Sequence, residues 1–198
     1  MSEPDLAARI ARLEARQEIG QLPVRYALAV DRRDLDAWTE LFVPDVELGR
    51  HGRGREALRD WIAPQVATFY RSVHLICGHR IELGPEPDAA TGQVYCRAEH
   101  EVGDRWVVMA IRYDDTYRRL GGEWLFARRR ETHWYEADVT ERPQAVDFDS
   151  WHRASTPPPL PGRDPSFAAF WAGRDAAAVT DRPIDPIDPI EPLGEPRA

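Results

Sequence analysis

SVHLICGHRIEL (72–83), TGQVYCRAEHEV (91–102), RWVVMAIRYDDTYR (105–118) and EWLFARRRETHWYE (123–136) follow one another with only short breaks between them, and their reading decides the fold. In all four, apolar and polar residues alternate with a period of two, the pattern of half-buried strands. The breaks are turn-rich: Gly-Pro-Glu-Pro-Asp at 84–88, Gly103-Asp104 and Gly121-Gly122. The last two are hairpin signals, because glycine reaches the positive φ that tight hairpin turns require. The spacing predicts a four-stranded antiparallel meander.

Working outward to the N-terminus, the period changes to that of a helix. Ser2, Pro4 and Asp5 mark a helix start, and Leu6, Ile10 and Leu13 recur at helical spacing. A second phase follows with Ile19, Leu22, Tyr26, Ala27 and Val30, and the helix is expected to stop near residues 31–34. Asp34 can cap a short helix whose buried face is Trp38, Leu41 and Phe42, with Pro44-Asp45 as its stop. A short strand from Val46 to Arg50, a glycine turn and a third helix around Glu56–Trp61, disturbed by Pro64, complete this part. Helices first and an antiparallel meander second define the α+β class. A curved sheet wrapped around the helices encloses a pocket.

Beyond residue 140 the character changes. Pro157-Pro-Pro159 and Ile-Asp-Pro-Ile-Asp-Pro-Ile-Glu-Pro at 184–192 read as an extended arm, not a second core. The expected division is 1–140 for the folded domain and 141–198 for a Pro-rich extension, with Phe167, Phe170 and Trp171 as anchors.

The chain holds 34 Asp+Glu against 26 Lys+Arg, a net charge of −8, with no basic run interleaved with exposed aromatics, which argues against nucleic acid as a partner. No apolar stretch is long enough to span a membrane and no signal-peptide core is visible, so a cytoplasmic protein is expected. Cys77 and Cys96 lie in strands without metal-type spacing and read as free thiols. No dinucleotide, phosphate-loop or nucleophile-elbow motif occurs, so the expected chemistry uses neither cofactor nor metal.

Three residues far apart in the chain carry the chemical expectation. Asp31 ends the long helix, His74 opens one strand and His100 closes the next. An acid and two imidazoles facing one cavity can move a proton near neutral pH. Strict alternation puts His74 and Ile76 on one face, with His79 on the other. On the next strand His100 shares a face with Ala98, Cys96 and Val94, small residues that leave room for a ligand. His133 has no evident partner. Arg112, Arg128 and Arg130 alternate within their strands and either form salt bridges or meet a ligand anion. Tyr70, Trp106 and Trp124 are core residues or aromatic lining of a pocket.

These pieces, in this order, resemble the SnoaL-like branch of the NTF2-like superfamily. The resemblance covers roughly residues 5–138. It rests on Tyr26-Ala-Leu-Ala-Val-Asp31, Asp34-Leu-Asp-Ala-Trp38, Leu41-Phe42, His74-Leu-Ile-Cys-Gly-His-Arg-Ile81, Arg112-Tyr-Asp-Asp115 and Trp124-Leu-Phe-Ala-Arg128. It implies a cone-shaped α+β barrel whose curved antiparallel sheet packs on three N-terminal helices, assembled as a homotrimer in preference to a dimer. Within the branch, Asp31, His74 and His100 fall on the acid and the two histidines of the scytalone dehydratase family. Tyr26 and Asp31 resemble the tyrosine–aspartate pair of bile acid 7α-dehydratases, and the Asp–His pair is similar to that of hexachlorocyclohexane dehydrochlorinase. Gly78 stands where many relatives have asparagine.

The resemblance implies a cofactor-independent lyase, a dehydratase of a hydrophobic, hydroxylated cyclic or aromatic molecule. Asp31 orients and charges His74, His74 is the base, and His100 and Tyr26 donate to substrate oxygen. Arg50, Tyr70, Trp106 and Arg128 are the candidate substrate contacts. A retro-aldol carbon–carbon lyase acting on an aryl diol, a double-bond isomerase and a silent small-molecule binder remain open alternatives.

Overall fold

A computed structural model describes residues 3–142, 160, 161 and 163–174. The chain divides into two compact units, Met1–Leu160 and Pro161–Ala198. The first begins with helix α1 (Glu3–Arg32), followed by α2 (Leu35–Glu40) and α3 (Gly54–Val66). Four strands follow: β1 (Ser72–Leu83), β2 (Ala89–Val102), β3 (Arg105–Leu120) and β4 (Glu123–Asp138). The described residues of the second unit include a short helix, α4 (Pro165–Trp171), on which Trp171 packs against Phe167 and Phe170. The Ile-Asp-Pro repeat at 184–192 lies outside the described residues.

The sheet is antiparallel throughout, in the order β1-β2-β3-β4. As expected, it is a curved antiparallel sheet packed on helices, and its edge strands β1 and β4 do not pair, so it stays open. The hairpins form where the glycines stand. Gly103 has φ of 62°, and Gly121 and Gly122 both have positive φ, 57° and 91°, as a type I′ turn requires.

Why the first 66 residues form helices is visible in what they bury. On α1, Ile19, Leu22, Tyr26 and Val30 face the sheet, each 8% exposed or less. The Asp34 side chain accepts the Ala37 N–H at 3.0 Å and starts α2, a cap worth about 0.5–2 kcal/mol. Trp38, Leu41 and Phe42 then pack against Phe126 and Tyr26. Backbone bonds from Val43 N–H to Phe126 O (2.9 Å) and from Phe126 N–H to Leu41 O (2.8 Å) fasten this segment to β4. The expected strand from Val46 to Arg50 is only an isolated bridge, Glu47 to Arg53, followed by a 3₁₀ turn at Gly49–His51. Gly52 and Gly54, both at positive φ, bend the chain back too soon for a strand to extend.

Three irregularities in the ladder set which side chains face inward. Cys77 is an extra residue between Ile76 and Gly78 in the β1–β2 pairing. Trp134 and Ala127 are skipped in the β3–β4 pairing. Each extra residue flips the alternation beyond it. His79, expected opposite His74, therefore pairs with inward-facing Val94 and shares the inner face, along with Ile81 and Leu83. By the same shift Arg129 points inward while its neighbours Arg128 and Arg130 are exposed.

Candidate active site

Asp31 sits in the last turn of α1 and reaches β1. Its Oδ1 lies 2.7 Å from His74 Nδ1, and its Oδ2 accepts the His74 backbone N–H at 2.9 Å. The Ser72 hydroxyl donates to Oδ1 at 2.9 Å. Burial pushes the Asp31 carboxyl up, but the His74 ring and backbone N–H, the charge of that ring and the Ser72 hydroxyl together hold it below its usual range. The His74 side chain is 8% exposed.

His100 is buried on the same face. Its strand partner is Ser72, His74 is paired with Ala98, and the two imidazole centroids are 5.5 Å apart. Phe69 lies against His100 at 4.2 Å. Cys96 and Ala98, beside these rings, are buried and small, and burial pushes the Cys96 thiol up to about 12. Tyr26 joins from α1, with its ring edge-on to His74 at 6.4 Å. At 100° per residue Tyr26 and Asp31 are about 140° apart on the helix. The helix nonetheless runs unbroken to Arg32, and from it both the Tyr26 ring and the Asp31 carboxylate reach His74. Burial raises the Tyr26 hydroxyl far above its ordinary value, so it stays protonated, a donor and not a base.

Arg33 holds the acid's frame. It stands just past the helix in the left-handed region, φ 60°. Its guanidinium donates to Val30 O and Ser72 Oγ, both at 2.8 Å, and to Phe69 O at 3.1 Å, and it lies over the Phe69 ring. One side chain thus ties the end of α1 to the Ser72 that supports Asp31 and to the Phe69 that packs on His100.

A cavity of about 410 Å³ is lined by Tyr26, Trp38, Phe42, Trp61, Arg129 and Glu131 among others; Asp31, His74 and His100, expected to face one cavity, do not line it. Tyr26 belongs to both the cavity wall and the histidine cluster. Arg129 is buried under it, its guanidinium 4.4, 4.2 and 4.3 Å from the Tyr26, Tyr113 and Phe126 ring centroids. Two bonds, at 2.9 and 2.7 Å, pair it with Asp115. Tyr117 donates to Asp115 at 2.8 Å and accepts from His79 Nε2 at 2.9 Å. Burial lowers the His79 imidazole, favouring its neutral form, whose Nε2–H can still donate to Tyr117. Sequence reading missed the chain Arg129–Asp115–Tyr117–His79 because bulges set two of its members inward.

The four expected substrate contacts fare differently from the cluster. Arg50 lies in the exposed 3₁₀ turn, donating to His51 at 3.2 Å. Tyr70 is 82% exposed. Trp106 faces away from Val107 and His100, its indole bonded to Glu99 at 2.7 Å. These three are not brought to the cavity; the aromatic lining comes instead from Trp38, Phe42 and Trp61. Arg128 borders the cavity, although its strand partner Thr116 belongs to the outer face. Arg112 takes the salt bridge, 3.6 Å from Asp114. His133, expected without a partner, meets Glu131 at 2.6 Å and Glu136 at 3.6 Å. Among the described residues no group of three His, Cys, Asp or Glu side chains is placed to hold a metal, and no helix is long and apolar enough to cross a membrane.

An open antiparallel sheet curved over three helices, with an acid–imidazole pair at the end of the first, places this chain in the NTF2-like class. The profile of the SnoaL-like domain matches residues 11–130, and the chain belongs to that family. It is similar to the uncharacterized protein Rv2910c of Mycobacterium tuberculosis, 27% identical over 135 residues, covering 64% of this chain and 90% of that protein. Among solved structures, a scytalone dehydratase-like protein of Novosphingobium aromaticivorans superposes with a TM-score of 0.59 at 20% identity, covering 68% of this chain and 94% of the other. Hexachlorocyclohexane dehydrochlorinase LinA-type3 of Novosphingobium barchaimii gives 0.61 at 20% identity, with 68% and 96% covered. At this identity the two likenesses show the fold.

Proposed function

We propose that this protein is a cofactor-independent lyase that eliminates water, or a comparable leaving group, from a hydrophobic hydroxylated substrate. The observation that carries the reading is the Asp31–His74 pair, 2.7 Å apart, with the His100 ring 5.5 Å from His74 on the same face. A carboxylate on Nδ1 fixes the tautomer and stabilises the imidazolium, leaving Nε2 as the base for a C–H proton. His100 and the protonated Tyr26 donate to the departing oxygen. Each such group contributes about 10²–10⁴-fold, so orientation within the cavity supplies the rest. The aromatic lining from Trp38, Phe42 and Trp61 suits a cyclic or aromatic molecule. The names of the solved neighbours, a dehydratase-like protein and a dehydrochlorinase, point to elimination chemistry.

The test starts from compounds released by denaturing the purified protein, identified by mass spectrometry. Each is incubated with the protein in deuterated buffer, where the lyase reading expects exchange of a substrate C–H and slow elimination, both lost in His74→Ala. A small-molecule binder would instead keep its affinity in His74→Ala and Asp31→Asn and exchange nothing in any form. Exchange without loss of a group would point to a double-bond isomerase. Release of an aldehyde or formate would point to carbon–carbon cleavage.

A further inference from the structure

Helix α1 carries two apolar faces, and among the described residues only one of them is buried. Ala15, Ile19, Leu22, Tyr26 and Val30 are buried against the sheet. Leu6, Ile10, Leu13 and Val24 are 48%, 45%, 66% and 40% exposed. At 100° per residue the second set lies about 180° around the helix from the first. Its spacing is that of a heptad seam: Leu6, Ile10, Leu13, Gln17, Gly20 and Val24 step by four and three alternately. Every residue from 6 to 14 is exposed, so the first turns of α1 run clear of the core. An isolated helical stretch of that length is marginal in water and gains stability from a packed face.

We infer that this stripe binds the same stripe of a second copy of the chain, as a short parallel helix pair. The flanking charges select this occupant and its direction. On the heptad, Arg9 and Glu14 hold the two positions beside the seam that meet across a parallel in-register pair, so each copy's Arg9 meets the other's Glu14. An antiparallel pair would set arginine against arginine, Arg9 facing Arg16, and glutamate against glutamate. Gln17, the one polar residue in the seam, meets its own equivalent only when the two helices are in register, as polar seam residues do when they set alignment. Because the buried face of α1 is opposite the stripe, the sheet of each copy lies away from the seam. A twofold contact of this kind is self-complementary.

The experiment uses the full chain with Cys77, an exposed thiol, replaced by serine. Leu13→Cys is expected to form an interchain disulfide on mild oxidation, because a parallel in-register pair faces each Leu13 with its equivalent. Arg12→Cys, also exposed but off the stripe, is expected not to. Ile10→Asp with Leu13→Asp should halve the mass seen by sedimentation and raise the dissociation constant at least about tenfold, since buried apolar anchors carry most of an interface's energy. Gly20→Glu separates association from folding: glutamate has better helix propensity than glycine, so Tm of the dissociated chain holds or rises, while two like charges facing each other in the seam weaken the pair. The inference is overturned if Leu13→Cys does not cross-link or cross-links no better than Arg12→Cys. It is equally overturned if the mass is unchanged in the double variant, or if Gly20→Glu associates as tightly as the parent. These last outcomes would mean that another segment or another protein covers the stripe.

Discussion

Asp31 grips His74 at two points: Oδ1 is 2.7 Å from the ring Nδ1 and Oδ2 is 2.9 Å from the backbone N–H of the same residue. The acid therefore fixes both the position of the β1 backbone and the direction of the imidazole. A group that orients and charges its partner acts with it as a unit, and mutational effects on the two do not add. Under the lyase reading, Asp31→Asn keeps the fold and lowers kcat by about 10²–10⁴-fold, in the range of a lost tautomer and a lost counter-charge. His74→Ala costs a similar amount, and the double variant little more than either alone. Steady-state kinetics on the four proteins of this cycle, with circular dichroism to verify the fold, measures it. Fully additive losses would separate the two residues.

Acid dependence of stability follows from the same contacts. The folded-state pKa of Asp31 is held down, so its ionised form stabilises the native state above the ordinary carboxylate value of about 3.9. That contribution is lost as pH falls through the lower folded value. Urea unfolding of wild type and Asp31→Asn should show a gap at pH 7 that narrows below about pH 4. A gap constant from pH 7 to 2.5 would contradict the assignment.

Arg33 is expected to be a positioning residue. Arg33→Asn tolerates the left-handed backbone at φ 60° but loses the bonds to Val30, Ser72 and Phe69. The expected destabilisation in urea is about 1–3 kcal/mol. Arg33→Lys restores a charge without the planar fork and should recover only part of it.

The Arg129–Asp115 pair has side-chain exposures of 5% and 0%. Removing either partner strands the other's charge, so Asp115→Asn and Arg129→Met are each expected to cost about 3–5 kcal/mol. The double variant should be less destabilised than the sum, because no charge is left unpaired. Denaturant midpoints of the three variants provide the check.

Thiol chemistry distinguishes the two cysteines. Cys77, in the bulge, is exposed, whereas Cys96 is buried with its thiol pushed up to about 12. One thiol per chain should react with a disulfide reagent in the native state and two after unfolding. Cys77→Ser should abolish the native reaction.

The order of elements, the class of fold and the Asp31–His74 contact of the candidate site were all legible in the chain. Alternation with period two outlined four strands within about two residues of their ends, and helical spacing with the Asp34 cap outlined α1 and α2. Those patterns record local burial, which depends on neighbours close in sequence. His74 and His100 could be set facing one another because both precede any irregularity in their shared ladder. Beyond Cys77 the same logic failed for His79, and beyond Ala127 it could not show that Arg129 points inward to Asp115. A bulge is a property of two paired strands, one residue too many against its partner, and a single strand's pattern does not contain it. For the same reason Trp38, Phe42 and Trp61 read as a core face and a helix face; only the tertiary placement of α2 and α3 opposite β4 left a cavity among them. The two phases of α1 were plain in the sequence. Which face would be buried was decided by the sheet, which has one inner surface and could cover only one of them.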